Sequence, residues 1–168
     1  ARGPAGPPVP GQSSRERVAE AISRMQAELR MLRTTEKLLS KDAIPDMAQR
    51  IVRSHIPQLG YVLVFQLIAS VFNASWNVEN SEPFRKAIMY VCHEIFVMSM
   101  KSAMPEAFVH AREDFFLKID HMVARVNDRE ISSYSKLLHV WEQKAFFESP
   151  TIAQLRVAWK IPDEIWNS

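Results

Sequence analysis

The sequence predicts an all-α fold of seven or eight antiparallel helices, and three observations carry that reading. From Ser13 onward apolar residues recur three or four apart, which is the spacing of one helix face. No stretch keeps the alternation of a half-buried strand, and hairpin dipeptides such as Asn-Gly are absent. Hydrophobic residues make up 47% of the 168, enough to fill the core of one ordinary domain.

The elements follow in order. Residues 1–12 hold three of the four glycines and four of the ten prolines, so they have little to bury and read as a flexible tail. Helical pattern then runs over residues 13–161, with 162–168 read as a C-terminal tail. Ser13 or Ser14 suits the cap of the first helix, and Glu16 completes a capping box if Ser13 is the cap. Val18, Ile22, Met25, Leu29 and Leu32 form its apolar stripe; Arg15, Arg17, Arg24, Arg30 and Arg33 form its solvated face. Pro45 marks the next start, with Asp46 at the positive end of the helix. Met47, Ile51, Val52 and Ile56 continue the stripe, which Pro57 is expected to stop. After Gly60, residues 61–73 are apolar on nearly every face and are expected to run through the interior. Pro83 opens an amphipathic helix through Phe84, Ile88, Val91, Ile95 and Met98. Another is expected from Pro105 to about Val126, then a turn at Asn127–Asp128. A helix over residues 131–147 carries Leu137, Leu138, Trp141 and Phe146, and a short one covers residues 151–159.

The totals exclude several classes. A net charge of +2 lacks the dense basic footprint of a nucleic-acid binder, although the arginines of the first helix and Arg2 leave weak RNA binding as a minor reading. The apolar run over residues 61–72 is far shorter than the ~20 residues of a membrane span. No secretory signal is read in residues 1–12. The single Cys92 fits a reducing compartment and reads as a small buried hydrophobe. Cys92 and His93 are neighbours on a helix and point apart, so they make no nucleophile–base pair. Only Gly60 lies outside the tail, so there is no glycine loop for phosphate. His110, Asp114 and His121 could share a helix face, but no supporting ligands are readable; Glu113–Asp114 reads as solvated surface. No catalytic residues, metal or cofactor are expected.

Three segments carry a family resemblance. LLHVWEQKAFFESPTIAQLR (residues 137–156), preceded by Lys136, places two leucines, Trp141-Glu142, Phe146, Phe147 and Gln154-Leu155 in an order similar to the end of the CTD-interacting domains. VFQLIASVFNAS (residues 64–75) resembles that family's central helix, with Phe65 at the aromatic position and Asn73 at the asparagine. AQRIV (residues 48–52) resembles the helix before it. The resemblance implies a right-handed superhelix related to the VHS and ENTH domains of vesicle adaptors. It also implies a nuclear protein that binds the phosphorylated tail of RNA polymerase II, in a groove made by the family's second, fourth and seventh helices, in transcription termination or RNA processing. Peptide contacts then fall on Arg50, Ile68, Ala69, Phe72, Asn73, Ser133, Lys136 and Val140.

Two departures stand out. The family's central helix offers a carboxylate to the turn of the bound peptide, and here that position is Ile68 or Ala69. Lys136 takes the place of a phosphate-facing cation, as a point charge without arginine's fork. Residues 103–129 also read as longer than the usual connection.

Each signal has a plainer reading. Trp141 and Phe65 suit core packing, Asn73 suits a cap or turn as well as a peptide contact, Phe72 suits a groove wall, and Lys136 suits an ordinary solvated lysine. Two further functions stay open: a scaffold for a folded partner, and a VHS- or ENTH-like adaptor using the basic segment over residues 14–41.

Overall fold

Ser13 starts the described chain as a helix cap: its Oγ accepts from the Glu16 backbone N–H at 3.1 Å, satisfying one of the orphan donors of the first turn. The computed structural model describes residues 13–34, 42–77, 81–99 and 126–168. Among these every regular element is helical, so the all-α class holds. The expected tail over residues 1–12 and all but the last residue, Val126, of the helix expected from Pro105 lie outside the described residues, as do His110, Asp114 and His121. The chain divides into two compact units, Ala1–Ile95 and Phe96–Ser168.

In the first unit, α1 (Ser14–Thr34) packs against α2 (Ala43–Arg50), α3 (Ile56–Leu59) and α4 (Tyr61–Ala74). Its buried line is Ala21, Met25, Leu29 and Leu32. The expected start of that stripe differs, because Val18 is 42% exposed. Residues 13–20 are all exposed, so the first two turns of α1 bury no apolar face among the described residues. Full burial of Met25 and Leu29 contributes about 1.5–3 kcal/mol each.

Pro57 does not stop the second helix. α2 passes into a π-helical turn, Ile51–His55, and resumes as α3. The Ile56 N–H reaches back five residues to the Ile51 carbonyl. Widening the turn in this way puts Pro57 in the first turn of a new α segment, where its missing N–H leaves no helical bond unmade. The same turn buries His55, whose Nε2 lies 2.5 Å from Glu28 Oε1 of α1. Gly60 then ends α3 and opens α4 with φ +83° and ψ 162°, a region that side-chain-bearing residues avoid.

Helix α4 buries Val64, Phe65, Leu67, Ile68, Val71 and Phe72, so the expected interior helix is present. It passes through a 3-10 turn, Ser75–Asn77, closed by Ser75 Oγ donating to the Phe72 carbonyl at 2.6 Å. Ser81 Oγ donates to the Ser75 carbonyl at 2.8 Å and itself accepts from buried Arg85, whose guanidinium lies 4.2 Å from the Trp76 ring centre. Arg85 stands on α5 (Glu82–Ser99), which buries Phe84, Ile88, Val91, Cys92, Ile95 and Phe96.

In the second unit, α6 (Asp128–Gln143) starts earlier than the apolar pattern implies, because Asn127 Oδ1 accepts from the Glu130 N–H at 2.9 Å and caps it. It also stops earlier than expected. Ala145 turns left-handed (φ +57°), and the Phe146 N–H reaches the Trp141 carbonyl at 2.8 Å, which drops Phe146 and Phe147 into the core. Helix α7 (Ser149–Ala158) closes in the same way, with Lys160 at φ +55° and the Ile161 N–H on the Arg156 carbonyl at 3.2 Å. Trp141 is fully buried among Phe96, Phe147 and Trp159, at ring separations of 5.2, 5.6 and 6.5 Å. Residues 162–168, read from sequence as a tail, contain one more helical turn, α8 (Asp163–Trp166), which packs on α6. Its partners lie far back in the chain, where no local pattern reveals them.

Candidate functional site

The candidate residues divide by unit, and burial sorts them. In the first unit Arg50 closes α2 and is exposed. Arg53, one turn later in the π segment, is also exposed, and neither guanidinium has an ion-pair partner among the described residues. Sequence reasoning passed over Arg53, which lies within the π turn.

Helix α4 supplies the other four candidates of this unit, and they do not share a face. Ile68 and Phe72 are both fully buried, four apart on the core side. Both are corrections: a side chain with no accessible surface cannot touch a ligand, so Phe72 is core and not groove wall, its ring edge-on to Trp76 at 5.9 Å. Ala69 and Asn73, also four apart, are half-buried and border the solvent side with exposed Gln66 and Ser70. Of the two positions where the family's carboxylate was sought, only Ala69 reaches the surface. The open side of α4 therefore carries no charge. Asn73 Oδ1 and Trp76 Nε1 are buried and have no hydrogen-bond partner among the described residues.

In the second unit Ser133, Lys136 and Val140 fall at i, i+3 and i+7 on the outer side of α6, with Trp141, Leu137 and Leu138 turned into the core beneath them. Lys136 is exposed, with no acidic partner among the described residues. Ser133 and Val140 are half-buried, and the Ser133 hydroxyl makes a long bond (3.4 Å) back to the Arg129 carbonyl. The arrangement offers a cation beside a hydroxyl and a branched apolar side chain.

Reactive groups are poorly placed. Cys92 is fully buried, and burial pushes its thiol far above its ordinary value, so it is held as the unreactive neutral form. Among the described residues no three histidine, cysteine or carboxylate side chains gather as metal ligands. No helix of the described residues is long and apolar enough to cross a membrane.

Against known families, the model described as the CID domain matches residues 23–155. The chain belongs to the CID family. No curated protein and no solved structure matches it. CID domains are protein-interaction modules rather than enzymes, and the tail of RNA polymerase II is the ligand typical of the family. The match takes in α1 from Ser23 and ends at Leu155 of α7, so it includes every candidate residue named above.

Proposed function

We propose that this CID domain binds a phosphorylated segment of the RNA polymerase II tail, or a similar linear peptide, in nuclear transcription termination or RNA processing. The family match over residues 23–155 carries the reading. The exposed cations Arg50, Arg53 and Lys136, without acidic partners among the described residues, support a ligand that brings its own negative charge. Ala69, Asn73, Ser133 and Val140 are the neutral surface positions expected to meet peptide atoms.

Titration of labelled heptad-repeat peptides, with and without phosphoserine, tests it by fluorescence anisotropy. Saturable binding, tighter with phosphate and weaker with added salt, is expected. Lys136 is exposed, so Lys136→Gln should cost roughly two- to fivefold in affinity for the phosphopeptide and little for the unmodified one. No saturation at high micromolar protein would end the proposal. A second reading, a scaffold for a folded partner, is favoured by the uncharged open side of α4, which lacks the family's acceptor. A stoichiometric partner that co-purifies and survives excess heptad peptide would support that reading instead.

A further inference from the structure

At the end of the described chain, Asp163 and Trp166 lie three apart on one helical turn, Asp163 held by a side chain seven residues back and Trp166 by one 27 residues back. The Trp166 ring stacks on His139 of α6, with centroids 3.8 Å apart and planes inclined by 29°. His139 Nε2 lies 2.9 Å from the Trp166 carbonyl oxygen. A carbonyl only accepts, so Nε2 carries the proton and donates it. Arg156 of α7 pairs with the Asp163 carboxylate, and its guanidinium carbon lies 5.1 Å from the Trp166 ring centre. Lys160, in its left-handed conformation, turns the chain back after α7, and buried Ile161 anchors the return.

We propose that the edge formed by His139 and Arg156 is a recognition site for an acidic–aromatic helical turn, filled in this chain by its own residues 163–166 and open to a partner segment of the same chemistry. The fitting segment places a carboxylate three residues before a large aromatic ring and offers that aromatic residue's own carbonyl to the histidine. Nothing in these contacts requires the turn to be covalently joined to α7. They are a side-chain ion pair, a ring stack, a cation over a ring and one main-chain hydrogen bond. Each is of a weak class: the Asp163 side chain is 83% exposed, so solvent screens the ion pair. The turn therefore opens at a low but real frequency, and a partner competes with it while it is open. This site is separate from the peptide-binding reading above and stands or falls without it.

The probe is the synthetic peptide KIPDEIWNS, residues 160–168, added to the full chain labelled with nitrogen-15. In Trp166→Ala the edge is uncovered, and saturable shifts of the His139 and Arg156 backbone signals are expected at millimolar peptide or below. Apparent affinity in the parent chain should be about tenfold weaker or more, since its own turn must first leave. A peptide carrying Asp163→Asn or Trp166→Ala should lose most of the effect, as should the double variant His139→Ala/Trp166→Ala. A second measurement needs no substitution: excess peptide should accelerate exchange of the Trp166 and Asn167 amides, which bond to the Pro162 and Asp163 carbonyls, in the parent chain. Absence of saturation in Trp166→Ala together with unchanged amide exchange overturns the proposal, as does binding that ignores the His139 substitution.

Discussion

Placing a carboxylate at Ala69 tests at once the family reading and the orientation of α4. Ala69 is half-buried on the solvent side, whereas its neighbour Ile68 is fully enclosed. A hydrogen bond from a peptide N–H or hydroxyl to an ionised carboxylate is worth about 1.5–3 kcal/mol. Water reaches Ala69, so the lower end applies, and about 1.5 kcal/mol corresponds to roughly a tenfold gain in affinity. Ala69→Asp should therefore bind an unphosphorylated heptad peptide about tenfold more tightly than the parent, at a cost of roughly 0.7 kcal/mol or less in helix propensity. Ile68→Asp carries the same new group one residue away and should fail for a different reason. An unpaired carboxylate in the α4 core costs several kcal/mol, a large share of the 5–15 kcal/mol that typically holds a domain together. Anisotropy titrations paired with thermal melts of the parent and both variants separate the outcomes. A folded Ala69→Asp with unchanged or weaker binding refutes the placement of the peptide turn at Ala69. An Ile68→Asp that melts with the parent refutes the burial argument.

Three further outcomes follow from backbone and burial. Gly60→Ala should lose about 1–3 kcal/mol in urea unfolding: a Cβ there meets no atom within 4 Å, so the whole cost is the φ +83°, ψ 162° backbone; an unchanged midpoint would contradict it. Ala145→Gly and Lys160→Gly should each stabilise by about 0.5–1 kcal/mol, because both residues hold left-handed helix-closing positions that glycine adopts without a Cβ clash; a loss on either would show that its side chain matters more than its φ. Cys92 should resist thiol reagents in the native protein and react in denaturant. Its folded thiol stays protonated while the unfolded one ionises above its ordinary 9.0, so stability should fall as pH rises beyond that value, and Cys92→Ala should lessen the dependence.

Helix identity and the main core faces were legible because they are local and periodic. The stripe Met25, Leu29, Leu32 and the cluster Leu137, Leu138, Trp141 each state which side of a helix avoids water, and the structure buries all six. Ser13 and Asn127 were readable as a cap and a turn for the same reason: their side chains bond to backbone three residues on. The membership of the chain in the CID family was legible in LLHVWEQKAFF, in its order of leucines, tryptophan and paired phenylalanines.

The candidate site was legible only in outline. Residues 61–73 are apolar on nearly all sides, so their periodicity has no phase, and only packing decides that Ile68 and Phe72 turn inward while Ala69 and Asn73 reach the surface. The passage through Pro57 was hidden because the chain widens one turn to accommodate the ring. The early end of α6 was hidden because alanine, not glycine, takes the left-handed position. The clasp of Trp166 by His139 spans 27 residues, and its strength comes from two rings meeting in space. Sequence determined the helical class, the approximate places of the main helices and the family to which the chain belongs. The azimuth of each helix and the grip on the last turn were decided by tertiary packing, because side-chain contact depends on distances that a one-dimensional pattern does not contain.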